Sequence, residues 1–270
     1  MEQDPKQKHI SDLFEAIKQG DFRRTDGFLG EMHDIINMQD ANGLTPLQQA
    51  VCVGKADIVK LLISKGADLD SLSSRGWIAL MASIEIGRAD IAAILIGSGA
   101  KVSMREKCDS TTPLMWAAKY GRLEIAKLLI SKGADTRAVG RNGQSALLMA
   151  VQSGSIEIAK LLISNGADIE SGDIIVNLTP LMLAAANGNY EMVKLLVDNG
   201  ADINAQTPYG QTALMWATIK GRFQVAKFLI KKRANAKIED MNGDNVFKIA
   251  QTEHNKDIVN LLIKKGMTYK

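Results

Sequence analysis

The chain has 270 residues and a formal net charge of +3 at pH 7, with 33 Lys and Arg against 30 Asp and Glu. Its two cysteines, Cys52 and Cys108, exclude a disulfide framework and a thiolate metal site. The N-terminus lacks the apolar stretch of a signal peptide, and no later run is long and apolar enough to span a membrane. Both features predict a cytoplasmic protein with no membrane partner.

The first segment in chain order is polar and lacks periodicity. We expect residues 1–10 to form a flexible N-terminal tail. Residues 11–29 have the spacing of a degenerate first repeat, in which Leu13, Phe14 and Ile17 form the apolar stripe and Gly20 keeps the repeat phase, 34 residues before Gly54.

A motif then recurs at a nearly fixed period. Each copy places a glycine seven residues after its Leu, and successive copies are separated by 33, 34, 33, 34 and 33 residues. Such a period is typical of stacked helical repeats, which present surfaces and not catalytic pockets. The copies begin at Thr45-Pro46-Leu47, Ile78-Ala79-Leu80, Thr112-Pro113-Leu114, Ser145-Ala146-Leu147, Thr179-Pro180-Leu181 and Thr212-Ala213-Leu214.

One copy shows the chemistry of the repeat. Thr45 is a suitable N-cap and Pro46 suits the first helical position, while Gly54 can adopt the positive φ of a helix end. A second helix is expected over residues 57–65, with its apolar side chains on one face. Two helices this short are marginal alone, so each repeat requires a covering neighbour.

The exit of the second helix repeats as clearly, in Lys127 to Asp135, Lys160 to Asp168 and Lys194 to Asp202. With the Thr-Pro-Leu starts, these residues resemble the ankyrin repeat family over almost the whole chain. The resemblance implies an all-α repeat solenoid of helix–loop–helix units with β-hairpin-like loops, curved and with a concave binding face. It also implies a single ankyrin repeat domain over residues 11–270, of about eight repeats including degenerate N- and C-terminal caps.

The chain departs from the family pattern after Thr-Pro-Leu, where the family usually has a hydrogen-bonding His. Most copies place an apolar residue there, which predicts that core packing replaces the polar contact. The copy starting at Ile78-Ala79 should begin its helix less well. The residues at the His position are Gln48, Met81, Met115, Leu148, Met182, Met215 and Lys248.

Sequence motifs for catalysis are missing. The chain has no phosphate-binding P-loop and no nucleophile elbow, and its three histidines have no ligand-spaced partner. The recurring Asp68, Asp135, Asp168 and Asp202 are interpreted as turn-forming side chains. We therefore predict a protein that is not an enzyme and needs no cofactor, metal or small-molecule substrate.

The resemblance implies that partners contact the loop tips and the exposed ends of the first helices. Trp, Tyr and Arg are the residue types that dominate binding energies. Trp116 and Trp216 follow the motif and are interpreted as packing between repeats. The predicted partner-binding residues are Arg75, Trp77, Tyr120, Arg141, Gln144, Ile175, Val176, Leu178, Tyr209 and Gln211.

The tip at residues 173–178 differs from the others because it carries Ile174, Ile175 and Val176 where other tips are polar. Asn177 occupies the glycine position and can tolerate left-handed geometry. An exposed β-branched run indicates a binding patch or an edge for self-association through residues 174–178. The alternative is that Ile174 and Val176 pack against adjacent tips.

The C-terminal end is basic. Residues 220–270 contain twelve Lys and Arg against five Asp and Glu, a net +7, which leaves −4 for the rest of the chain. A charged, solubilising cap explains this excess, and an acidic partner is the alternative. The scarcity of stacking aromatics and the interspersed acids argue against nucleic acid.

The resulting functional prediction is a non-enzymatic adaptor or scaffold that binds a protein or peptide. The alternative is a regulatory subunit or inhibitor of an enzyme. The Met-Trp-Ala sequence at Met115 and Met215 is similar to bacterial members of the family, so a bacterial effector acting in a host cell is a further alternative.

Overall fold

The computed structural model describes residues 5–31 and 33–266, in which the chain forms sixteen α-helices, a 3-10 turn at His33–Ile35 and no β-strand beyond an isolated bridge between Val139 and Ser145. The helices are α1 (Pro5–Gln19), α2 (Phe22–Glu31), α3 (Pro46–Cys52), α4 (Ala56–Ser64), α5 (Ala79–Glu85), α6 (Ala89–Gly97), α7 (Pro113–Lys119), α8 (Leu123–Ser131), α9 (Ala146–Gln152), α10 (Ile156–Ser164), α11 (Pro180–Asn187), α12 (Tyr190–Asp198), α13 (Ala213–Ile219), α14 (Phe223–Lys231), α15 (Val246–Thr252) and α16 (Lys256–Lys264).

Within the described ranges these helices form eight successive pairs, each joined by a short turn. In α4 the stripe of Ile58, Leu61 and Leu62 is buried, as its spacing predicts. The first helix of a repeat is more completely enclosed: in α5 every residue from Ala79 to Ile84 is buried. Because neither helix of a pair is long enough to be stable alone, stacking on the next pair maintains the fold.

The first helix differs from the predicted boundary of the tail. Helix α1 begins at Pro5, so residues 5–10 of the predicted flexible tail are helical, and Ile10 is buried. The apolar spacing of Ile10, Leu13 and Ile17 extends the stripe one turn further back than we predicted. Residues 1–4 of that tail lie outside the described residues.

The helix starts follow the predicted capping chemistry. The hydroxyl of Thr45 accepts a hydrogen bond from the backbone N–H of Gln48 at 3.3 Å, and Thr112 and Thr212 accept equivalent bonds. Ile78, which has no side-chain acceptor, caps α5 without a side-chain hydrogen bond. The prediction that this copy begins its helix less well is therefore confirmed in one respect, the missing side-chain hydrogen bond at its N-cap.

The residues at the His position retain more polar contact than we predicted. Gln48 donates its amide Nε2 to the carbonyls of Ser71 at 2.8 Å and Trp77 at 2.9 Å, which ties α3 to the following loop. The sulfur of Met115 accepts from the backbone N–H of Thr112 at 3.4 Å. Core packing alone is thus an incomplete account of the His position, since both Gln48 and Met115 also form hydrogen bonds there. The bond to Met115 is the weaker kind, because a thioether sulfur is a weak acceptor.

The contacts of the chain group into two compact units, an N-terminal unit Met1–Asp135 and a C-terminal unit Thr136–Lys270. Within each unit, neighbouring loop tips are joined by backbone hydrogen bonds. In the N-terminal unit Ser74 N donates to Gly43 O at 3.2 Å, and in the C-terminal unit Ile174 N donates to Asn142 O at 3.1 Å. These bonds fix the register of successive tips.

Candidate functional site

An aromatic cluster in the N-terminal unit joins two of the predicted site residues through a third ring. Trp77 meets Trp116 with ring centroids 4.7 Å apart, and Trp116 meets Tyr120 at 5.7 Å. Trp116 is 6% exposed and lies between the other two. Its predicted role in packing between repeats is confirmed, and it also holds Trp77 and Tyr120 in fixed positions.

Two side-chain hydrogen bonds orient this cluster. The indole Nε1 of Trp116 donates to Thr111 Oγ1 at 2.8 Å, and the hydroxyl of Tyr120 donates to Glu85 Oε1 at 3.1 Å. Burial, and then the hydrogen bond to Glu85, raise the pKa of Tyr120. The phenol therefore remains neutral and a donor at physiological pH.

Two cations lie over rings of the cluster. The guanidinium carbon of Arg75 is 5.5 Å from the Trp77 centroid. The ammonium of Lys119 is 5.7 Å from the Trp116 centroid and 5.3 Å from that of Tyr120. Such contacts are worth about 0.5–1 kcal/mol at exposed sites, so they bias these long side chains towards the rings.

Next to the cluster lies a groove of about 370 Å³ between the ends of α3 and α5. We call it the aromatic groove. It combines polar, charged and apolar side chains. Cys52 is exposed as a residue, but partial desolvation of its thiol raises the thiol pKa, with a further increase from the Glu85 charge. Its principal lining residues are Gln48, Cys52, Arg75, Trp77, Glu85 and Ile86.

The structure therefore brings Arg75 and Trp77 together at one groove, with Tyr120 bonded to its wall through Glu85. Sequence reasoning missed Gln48 and Cys52 as groove residues. Because they are four residues apart on α3, they lie on one face of the helix. This shared face was overlooked because Gln48, at the His position of the motif, was interpreted as a packing residue.

The predicted tip at residues 173–178 is cross-linked by hydrogen bonds within itself, and Ile174, Ile175 and Asn177 are exposed. The carboxylate of Asp173 accepts backbone hydrogen bonds from Ile175 and Val176, both at 2.9 Å, and from Leu178 at 3.2 Å. Asn177 has φ +50°, the left-handed geometry that this residue type was expected to tolerate at the glycine position. The same position in another tip is held by Ser110 at φ +55°.

The alternative in which Ile174 packs against an adjacent tip is wrong for its side chain, which is 71% exposed, and Ile175 is 76% exposed. The backbone N–H of Ile174 donates to Asn142 O of the preceding tip. Val176 is half-buried and lines a groove of about 350 Å³ with Gln144, Ile175 and Leu178. Four of the predicted residues therefore share one groove of the C-terminal unit.

The remaining predicted residues are more dispersed within the C-terminal unit. Arg141 is exposed and does not line the groove that contains Gln144. Tyr209 is 45% exposed at another tip, and its carbonyl accepts from Met241 N at 2.9 Å. Gln211 is half-buried and donates its backbone N–H to Thr207 Oγ1 at 3.2 Å. Sequence reasoning missed Met241, which is 70% exposed.

The described part of the chain holds no grouping of three or more His, Cys, Asp and Glu side chains suited to a metal ion. Across the same residues, no helix has the length and apolar character needed to cross a bilayer. The two grooves that contain predicted site residues are lined by apolar, polar and charged side chains.

Comparison with known proteins agrees with the repeat pattern. The family model for ankyrin repeats, in three copies, matches residues 13–106, 101–173 and 181–270. Similar proteins include the Ankyrin repeat and SAM domain-containing protein 6 of Mus musculus and Rattus norvegicus, 37% and 36% identical over 76 residues. The 2-5A-dependent ribonuclease of Mus musculus is 43% identical over 58 residues.

These matches are local. The first two cover 28% of this chain and 9% of each relative, and the third covers 22% of this chain and 8% of the ribonuclease. The chain thus spans under a tenth of the curated relatives it matches. All three relatives are mammalian, so the resemblance to bacterial members stays a prediction.

Proposed function

Because this chain belongs to the ankyrin repeat family, whose repeats generally bind other proteins, we propose that it is a non-enzymatic adaptor that recognises a protein or peptide through its aromatic groove. The observation that supports this most is the convergence of Arg75, Trp77 and Ile86 at one groove of about 370 Å³. Arg and Trp are enriched among the residues that dominate binding energies.

The groove is also held in place before any partner arrives. Gln48 fixes the carbonyl of Trp77, and Tyr120 fixes the carboxylate of Glu85. A surface that is already ordered loses less side-chain entropy on binding, so more of the contact energy remains as affinity. Ile86, which is 40% exposed, supplies apolar area at the rim.

The test is a selection of displayed peptides on the wild-type protein, followed by affinity measurement on variants. The groove variant carries Arg75→Ser and Ile86→Ser, two substitutions at exposed positions. The matched control carries Arg23→Ser and Ile263→Ser, which change the same residue types on exposed surface elsewhere. We expect selected peptides to bind the groove variant at least about tenfold more weakly and the control like wild type. Equal binding to the groove variant and wild type would overturn the proposal.

The tip at residues 173–178 supplies a second arm of the same experiment. Ile175→Asp with Val176→Asp should leave thermal unfolding nearly unchanged, because Ile175 is exposed and Val176 is half-buried. If peptide binding is lost in this variant and retained in the groove variant, the partner binds the tip instead. Sedimentation of wild type beside this variant tests self-association through residues 174–178.

An adaptor and an enzyme inhibitor differ in what happens to the bound partner. An adaptor leaves the partner's activity unchanged on stoichiometric addition, whereas an inhibitor lowers it. We propose the adaptor role because the groove is open and presents mixed apolar and charged side chains to a segment of chain. Assay of the captured partner with and without this protein separates the two.

A further inference from the structure

One second helix of the C-terminal unit, α14, lacks the acidic residue of its repeat and carries an additional lysine. In α8 and α10 the repeat places a Glu three residues before a Lys, and these form ion pairs: Glu124 with Lys127 at 2.8 Å and Glu157 with Lys160 at 2.7 Å. In α14 the Glu position holds Gln224, so Lys227 lacks the neutralising partner of its repeat.

A second substitution in α14 adds charge at the same place. The last residue of the helix is Ser131 in α8 and Ser164 in α10, and it is Asp198 in α12. In α14 it is Lys231. The change from serine or aspartate to lysine raises the local charge beyond that of the other repeats, and both Lys227 and Lys231 are exposed.

These lysines converge on a groove of about 510 Å³ between α12 and α14, which we call the lysine groove. Its aromatic wall is Tyr190 packed edge to face on Phe228, with centroids 5.3 Å apart. Its four cations are Lys194, Lys227, Lys231 and Lys232.

Only part of this charge is neutralised within the protein. Lys232 pairs with Asp198 at 2.7 Å and lies 5.5 Å from the Phe228 centroid. Among the described residues, Lys194, Lys227 and Lys231 form no ion pair, and no acidic side chain lines the groove. The nearest acid along α12, Glu191, is exposed and does not bridge to Lys194. Three unpaired ammonium groups around an aromatic wall repel one another and attract an anion.

We propose that the lysine groove binds an acidic segment of a protein partner, with carboxylates on Lys194, Lys227 and Lys231 and an apolar side chain on Tyr190. Tyr190 is 39% exposed and can cover such a side chain, whereas Phe228 is 8% exposed and supports it from behind. This surface lies in the C-terminal unit and does not depend on the aromatic groove of the N-terminal unit.

The aromatic geometry favours a peptide over a single-stranded nucleic acid. Sequence-tolerant binding of a nucleic acid strand uses several exposed rings on which successive bases stack. Here Tyr190 is the one ring of the groove wall that is substantially exposed in the described structure, and its edge-to-face contact with Phe228 occupies part of it. A carboxylate-bearing segment needs only the cations and one apolar contact.

The experiment measures fluorescence anisotropy of a labelled peptide of glutamates around one central leucine, with glutamine in place of glutamate as the neutral peptide. The groove variant is Lys194→Gln with Lys227→Gln and Lys231→Gln. The control variant, Lys60→Gln with Lys127→Gln and Lys160→Gln, removes equal charge from other repeats, at the exposed position that Lys194 and Lys227 occupy in theirs. It separates the groove from net charge.

We expect the acidic peptide to bind wild type and the control alike, and the groove variant about tenfold more weakly, with the difference shrinking at high salt. Equal weakening in both variants would show a general charge effect and overturn the site. An oligothymidylate that binds more tightly than the acidic peptide and is lost in the same groove variant would overturn the assignment to a protein segment. Equal binding of the neutral peptide would exclude the lysines as the determinant.

Discussion

The indole rings of Trp77 and Trp116 meet edge to face, with centroids 4.7 Å apart and an interplanar angle of 77°. Trp77 directly precedes Ile78, the N-cap of α5, and Trp116 lies in α7, so the pair joins two successive repeats. Aromatic pairs in this arrangement are worth about 0.5–1.5 kcal/mol beyond their buried area. The contact therefore stabilises the stack and orients the Trp77 face that borders the aromatic groove.

The first prediction concerns the stability that Trp116 supplies. Trp116→Ala should lower the free energy of unfolding by about 3–5 kcal/mol, because the ring is buried and its loss leaves a cavity. Urea denaturation followed by far-UV circular dichroism measures the change. Thr111→Val, which removes only the acceptor of the Trp116 indole, should cost about 1–3 kcal/mol. A loss below that of Thr111→Val would contradict the structural role of the ring.

The environment of Trp216, the equivalent of Trp116 in a later repeat, indicates a substitution that should stabilise the fold. The indole Nε1 of Trp216 is buried and has no hydrogen-bond partner among the described residues, and Gln211 stands where Thr111 serves Trp116. Gln211→Thr should supply the missing acceptor and raise the free energy of unfolding by about 1 kcal/mol. Gln211→Val has the same shape without the hydroxyl and serves as the control in thermal unfolding. Equal effects of the two substitutions would show that the hydroxyl is not the cause.

Substitution of two glycines with the same φ angle can distinguish the cost of backbone strain from the cost of a steric clash. Gly143 and Gly243 both have φ +72°, but a Cβ on Gly143 would lie 2.7 Å from Ile174 N, whereas nothing lies within 4 Å of a Cβ on Gly243. Gly243→Ala should cost about 1–2 kcal/mol from the left-handed geometry alone. Gly143→Ala should cost more, because the bond from Ile174 N to Asn142 O must also shift. Chemical denaturation of both variants tests the difference, and equal losses would argue against tight packing of these tips.

The ion pair at the start of α6 predicts a pH dependence. Arg88 donates to both carboxylate oxygens of Asp90, at 2.9 and 2.7 Å, which lowers the pKa of Asp90 from 3.8 to about 2. Because the folded-state pKa is depressed, this stabilisation is present above the unfolded value and is lost as the pH falls towards 2. NMR titration of the Asp90 carboxyl measures it directly.

The matched variant for that titration is Arg88→Gln, which should return the pKa of Asp90 towards its ordinary value. Arg88 also donates to the carbonyl of Gly54 at 2.6 Å, so the variant should lower stability at neutral pH as well. An unchanged Asp90 titration in Arg88→Gln would show that another group sets the pKa.

Much of the local structure was predictable from residue spacing. The period, the Thr caps and the glycine positions locate the helix pairs because each signal acts within a few residues of the helix end it sets. The left-handed geometry of Asn177 was predictable for the same reason. The start of α1 was predicted too late because an apolar stripe in a polar segment is a weak signal when only one helix carries it.

The candidate site was predictable only in part. Trp77 and Tyr120 were identified from their residue types and repeat positions, but not that Trp116 joins them or that Gln48 holds the Trp77 carbonyl. The extent to which Ile174 is exposed also depended on packing, because a β-branched side chain at a tip suits either environment.

By itself, the sequence determined the ankyrin family, the order of the helices and the caps that begin them, since these follow from a repeat of local patterns. The tertiary structure decided which side chains meet. Arg75, Trp77 and Cys52 converge on one groove, as do Lys194 and Lys231, only because stacking places residues of adjacent repeats side by side. Such contacts depend on where each side chain lies in the stack and which way it points. The residue spacing within one repeat does not specify its contacts with the next repeat.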